Sequence, residues 1–177
     1  MDIFIEQIIT RKPDTRDTLL KIFLILSMIS LGLLCLLAAL VFWALPFISF
    51  VAMAAIFGII WLGINLLKGL HLEYEYILTN KDLDIDKIKG KSKRKRMITL
   101  NLMNAEKFDL CDDSTSLEPD ITVSAHDNSY INMWYLLINH DSHGRVVLLF
   151  NPTDDFIIKL NKSLPARVRK SLENMES

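Results

Sequence analysis

Charge is missing from one long stretch. From Ile22 to Leu67 no Asp, Glu, Lys, Arg or His occurs in 46 consecutive positions, whereas a membrane-spanning helix needs only about 20 apolar residues. One buried core helix does not account for that length. Cysteine is also scarce, with two in the chain. Cys35 lies in the apolar stretch and Cys111 in the polar remainder, too far apart to bridge, so no disulfide framework is expected. No phosphate-cradling glycine loop, GxSxG elbow, HExxH or CxxC occurs, which removes the familiar catalytic frameworks. The chain is therefore expected not to be an enzyme and to carry no cofactor.

Pro46 divides the apolar stretch into residues 22–45 and 47–67. At about 1.5 Å per residue, each covers the roughly 30 Å of hydrocarbon in a bilayer. Proline has no N–H to donate and pushes the residue before it out of the helical region, so it ends the first helix. The expectation is a two-helix transmembrane hairpin filling 22–70. A hairpin that enters one leaflet without crossing is the alternative. Trp43, Phe42, Phe47 and Phe50 surround the turn, where aromatic rings suit an interface. In the second span, Ala54 and Gly58 form a small-xxx-small pair suited to close helix packing. The partner expected for that pair is the first span of the same chain, with a homodimer as the alternative.

Arg11, Lys12, Arg16 and Lys21 precede the first helix and Lys68 follows the second, while the connection is uncharged. The positive-inside bias then puts both termini in the cytoplasm of a multi-pass cell-membrane protein with two spans. The apolar stretch is too long for a secretory signal. The match "NKS" at 161–163 would be an idle glycosylation acceptor on that side. Residues 1–21 are expected to be a separate cytoplasmic segment. Within it, Ile3, Phe4, Ile5, Ile8 and Ile9 fit a short amphipathic helix along the headgroups or a frayed terminus.

Beyond His71 the pattern changes to period-two alternation, the sign of half-buried strands. Strands are expected at 72–79, 82–88, 93–100, 106–110, 121–126, 130–138 and 145–150, with a short helical turn at 101–105 and an acidic loop at 112–120. An amphipathic helix should follow, with Asn151 as N-cap and Pro152 first. Asp154 and Asp155 would sit at the positive end of its dipole, and Phe156, Ile157, Leu160 and Leu164 would form its stripe. The α+β, mainly-β domain at 71–177 would then be an antiparallel barrel or sandwich of about seven strands closed by one C-terminal helix.

This order resembles pleckstrin-homology-like (PH-like) domains. The stretch "YEYILTNKDLDIDKIKGKSKRKRMITLNLMNAEKF" is similar to the start of bacterial membrane-tethered members. With "MDIFIEQ" and "LFNPTDDFIIKLNKSLP" included, the whole chain resembles a bacterial family of two-span proteins bearing such a domain. The resemblance implies a fold and no reaction.

The run "KIKGKSKRKR" at 87–96 holds seven cations in ten positions of a chain whose formal charge is −1. Two strands of about 3.3 Å per residue carry the chain away from the bilayer and back, which brings this turn beside the membrane. Lys87, Lys89, Lys91, Lys93, Arg94, Lys95 and Arg96 are the expected contacts to anionic phospholipid headgroups. A solvated hairpin is the bland reading. Nucleic acid is not expected, because no aromatic stacking residues adjoin the run. His140, Asp141 and His143 are the best candidates for metal or acid–base chemistry, yet a hairpin loop explains them, and no metal is expected. Asp112 with Asp113, like Asp154 with Asp155, is explained by a loop or a helix start. The expected function is a membrane-anchored binding or scaffold module that engages another membrane or cytoplasmic protein. An accessory subunit of a larger membrane complex, contacting it through the helical hairpin, is the alternative.

Overall fold

In a computed structural model of the chain, residues 3–112, 118–129 and 131–170 are described. They divide into two units, one of residues up to Lys12 together with those from Leu72 onward, the other running from Pro13 to His71.

The second unit is the helical hairpin. Helix α1 (Thr15–Val41) and helix α2 (Pro46–Gly69) are both long and apolar enough to cross a membrane. α1 begins earlier than the apolar stretch, because Asp14 and Asp17 form a capping box that satisfies its first free N–H groups. It ends before Phe42, and Leu45 precedes α2. The seam of α2 against α1 runs through Ala52, Ile56, Ile59 and Gly63. At Gly63 an added Cβ would come within 2.0 Å of Met28 Sδ, so the glycine makes room for that side chain. The expectation that Ala54 and Gly58 pack on the first span is corrected. Both are exposed, and a Cβ on Gly58 would meet nothing within 4 Å. The 3.6-residue period puts them on the opposite face from Ala52 and Gly63.

The first unit is the β-rich domain. β1 (Phe4–Thr10), β2 (Leu72–Thr79), β3 (Asp82–Lys89) and β4 (Lys93–Asn101) form an antiparallel sheet in that order. A 3₁₀ turn at Leu102–Asn104 leads to β5 (Ala105–Leu110), β6 (Ile121–Ala125), β7 (Trp134–His140) and β8 (Gly144–Phe150). These form a second four-stranded sheet in the order β5-β7-β8-β6. Helix α3 (Asp154–Ser163) follows. The closed-barrel alternative is therefore replaced by two sheets, and the expected seven strands become eight among the described residues. β6 also runs parallel to β8, a departure from the all-antiparallel expectation.

The eighth strand is β1, and it corrects both the amphipathic-helix expectation and the domain boundary. Its burial alternates residue by residue, with Ile5, Gln7 and Ile9 inward. It pairs with β2 from Phe4↔Thr79 to Thr10↔Glu73. The helical hairpin is thus inserted between the first two strands of the domain. Inward-facing Gln7 donates to Asn151 O at 3.1 Å and accepts from Thr153 N at 2.9 Å. Lys12 N donates to Asp127 O at 2.9 Å, and Lys12 Nζ lies 2.9 Å from Asp127 Oδ2. The chain is tied down to the last residue before the hairpin.

The core lies between the sheets and under α3. Tyr76, Leu78, Leu83, Ile85, Leu100, Leu136, Leu148 and Phe150 are fully buried there, and the predicted stripe Phe156, Ile157, Leu160 and Leu164 closes it. Tyr76 meets Phe150 and Phe156 edge-on, with centroids at 5.6 and 5.9 Å. Its hydroxyl donates to Ala125 O and accepts from Asn151 N. Asn151 is not the cap of α3. Its side chain instead accepts from Asp127 N and donates to Ile131 O, and Thr153 takes the cap position. On the other face of β7, Tyr135 and Leu137 form a small buried cluster with Val147.

Candidate functional site

The basic run forms the β3–β4 hairpin. Gly90 and Lys91 have φ of +60° and +61°, and Ser92 N donates to Lys89 O at 3.3 Å. Two successive left-handed residues match the twist of the flanking strands. The register slips once, between Ile85 and Asp86, leaving Met97 as an extra residue on β4. A bulge of this kind resets which side chains share a face. As a result the seven cations separate into two groups.

Arg94 and Arg96 share a face with acids. Arg94 Nη2 lies 2.7 Å from Glu75 Oε1, Arg96 Nη1 lies 2.6 Å from Asp84 Oδ1, and Arg96 Nε donates to Asp86 Oδ1. Thr99 Oγ1 donates to Asp84 at 2.6 Å. These arginines are engaged in neutralising Glu75 and Asp86, both of which are buried.

The lysines lie on the opposite face or at the tip. Tyr74, Lys87 and Lys95 are in register across β2, β3 and β4, as are Leu72, Lys89 and Lys93. Among the described residues no ion pair holds Lys87, Lys89, Lys91, Lys93 or Lys95. Lys87 Nζ stands 5.9 Å from the centre of the Tyr74 ring. Partial burial pushes its pKa below the usual lysine value, and the positive charges of Lys89 and Arg11 push in the same direction. The site is a cluster of unneutralised lysines that an anion would relieve.

Glu75 was not singled out by the sequence, where it reads as one outward residue of β2. It is 0% exposed, and its Oε2 has no hydrogen-bond partner. Burial raises its pKa, as do the adjacent Glu6 carboxyl and the charge of Asp86, with Arg94 opposing. A raised carboxyl pKa contributes stability that is present at low pH and lost as pH rises through the folded value. Glu75→Gln is therefore expected to raise the thermal midpoint, by more at pH 8 than at pH 5. Melting curves of the full chain at the two values check this; a larger gain at pH 5 contradicts it.

The His-rich turn does not assemble a centre. The His140 and His143 rings lie 4.8 Å apart, and His140 Nδ1 accepts from Ser142 N at 3.1 Å, as in an ordinary polar turn. Among the described residues no group of three or more His, Cys, Asp or Glu is arranged to hold a metal. Asp113 lies outside the described residues.

Neither a curated protein nor a solved structure matches the chain. A profile of the family described as "Bacterial PH-like domain (DUF6106)" matches residues 1–170, which include β1, the helical hairpin and every later element. The chain belongs to this bacterial PH-like domain family.

Proposed function

We propose that the protein is a membrane-anchored, non-enzymatic binding module at the cytoplasmic leaflet. The lysine turn contacts anionic headgroups there, and the domain recruits a partner protein. The observation that carries the reading is the register: Lys89 pairs with Leu72, and Leu72 follows the last residue of α2, Gly69, by three positions. Three residues of extended chain span about 10 Å at most, and paired strands lie about 5 Å apart. Along the chain and the sheet register, the lysine turn is thus only a few residues from the last residue of α2.

The other chain connection acts at the same place. Thr10 pairs with Glu73, and α1 begins at Thr15. Two short links thus join one end of the β1–β2 ladder to the helical hairpin. A juxtamembrane lysine is worth about 1 kcal/mol, so the five lysines set a ceiling of about 5 kcal/mol, with the arginines already paired to acids.

The reading is tested on the full chain in nanodiscs, with Cys35 and Cys111 replaced and a polarity-sensitive fluorophore on Ser92→Cys. Anionic lipid is expected to shift the emission to the blue relative to zwitterionic lipid, and salt to reverse the shift. An emission that ignores lipid charge defeats the reading.

A further inference from the structure

The end of β2 remote from Leu72 carries a second positive site. A cleft of about 500 Å³ lies between the β2–β3 turn and the end of α3. Its walls include apolar Ile3, Met103 and Leu164, with Lys81, Lys162 and Arg169 beside them. No described acidic side chain lines it, and no ion pair holds Lys81 or Lys162 among the described residues.

A helix C-terminus would ordinarily make such a place negative. Here Arg169 Nε and Nη2 donate to the carbonyls of Leu164 and Lys162, each at 2.9 Å, and neutralise it. The walls are also fixed in place. Asn80 N donates to Ile3 O at 2.8 Å and Asn80 Oδ1 accepts from Ile3 N at 2.9 Å. Lys81 O accepts from Leu102 N at 2.7 Å, and Asn161 Oδ1 accepts from Lys170 N at 3.0 Å. The cleft is thus preformed, and its volume lies within the roughly 300–1,000 Å³ typical of ligand sites.

We propose that this cleft binds a short acidic peptide segment of a partner protein. One apolar side chain seats against Ile3, Met103 and Leu164, and flanking carboxylates meet Lys81 and Lys162. The two cations left to a ligand, Lys81 and Lys162, come from two chain segments around one apolar strip, so the fitting ligand carries negative charge on both sides of an apolar centre. A single small carboxylate would satisfy only one of them. The inference rests on the reading that the domain recruits a partner, and it names that partner's chemistry. Lys81 precedes β3 and Lys89 ends it, so the two positive sites lie at opposite ends of an eight-residue strand, about 26 Å apart. Lipid and peptide do not compete.

The test uses the full chain in zwitterionic nanodiscs and a fluorescein-labelled acetyl-Glu-Glu-Leu-Glu-Glu-amide peptide, read by anisotropy. Saturable binding is expected. It should weaken at least about tenfold in Lys81→Gln/Lys162→Gln and when the peptide's Leu is Gly, and stay unchanged when Lys89, Lys91, Lys93 and Lys95 are all Gln. Unaltered melting of the variants shows that the fold is intact. No saturable binding overturns the inference, as does binding that survives Lys81→Gln/Lys162→Gln or is lost instead with the hairpin lysines. If the Ser92 probe responds to anionic lipid while the peptide fails to bind, this inference falls and the lipid reading stands. If the peptide binds as expected without a lipid response, the inference stands and the lipid reading falls.

Discussion

Replacing Ile5 and Ile9 together with Gln is expected to unfold the β-rich domain of the full chain while leaving the helical hairpin in the membrane. Both side chains pack on the main core from β1. Truncating a fully buried isoleucine costs about 2–5 kcal/mol. Ile5 and Ile9 are half-buried, so each loss falls toward the lower end, and the two together still approach the lower end of a total stability of about 5–15 kcal/mol. β1 also holds seven register pairs to β2, and its Gln7 holds the chain before α3. Its loss exposes the edge of β2 as well as the core. Limited proteolysis of membranes should then degrade the domain and spare the apolar helices. The control is Phe4→Gln with Ile8→Gln on the same strand, where the side chains are 60% and 52% exposed. That pair should leave the domain protease-resistant. Equal sensitivity of the two doubles would contradict the strand.

The second large effect separates the two kinds of cation in the hairpin. Changing Lys89, Lys91, Lys93 and Lys95 to Gln should abolish the response of the Ser92 probe to anionic lipid and leave the melting temperature unchanged, since these exposed lysines hold no ion pair among the described residues. Changing Arg94 and Arg96 to Gln should do the reverse. Glu75 and Asp86 are 0% and 3% exposed and would lose their counter-charges. Orphaning a fully buried pair member costs about 3–5 kcal/mol. The arginine side chains are about half exposed, 54% and 47%, so about 2 kcal/mol is expected, a shift of several degrees. A lipid response that falls equally in both variants would contradict the division of labour.

That division was not legible in the sequence. Alternation along 82–100 located β3 and β4 correctly, because inward Leu83, Ile85, Ile98 and Leu100 recur at period two. It carried no sign of the slip at Ile85/Asp86, which decides the faces on which Arg94 and Lys95 stand. β2 to β8 were readable for the same local reason, and α3 from its stripe of Phe156, Ile157, Leu160 and Leu164. β1 was not. Five apolar residues in "IFIEQII" fit a helical face as well as a strand. Its partner β2 begins more than sixty positions later in the chain, beyond the entire hairpin. The buried Glu75 escaped notice because exposure of an outward strand position depends on neighbouring strands. Ala54 and Gly58 were the conspicuous small pair, but the helix seam is set by rotational phase, which selects Ala52 and Gly63. Asn151 suits a helix cap, and its bonds to Asp127, Ile131 and Asn132 show a tertiary demand overriding a local preference.

All of this depends on an oily hairpin that leaves the first two strands and returns to them on the same side of a bilayer. The direct measurement is accessibility of a thiol on the exposed β7–β8 turn, Ser142→Cys, in full-length protein lacking Cys35 and Cys111. In intact cells an impermeant maleimide added outside should leave this position unlabelled, and disrupting the membrane should make it fully reactive. Labelling before disruption would put the domain on the outer side and remove the cytoplasmic leaflet from the lysine turn.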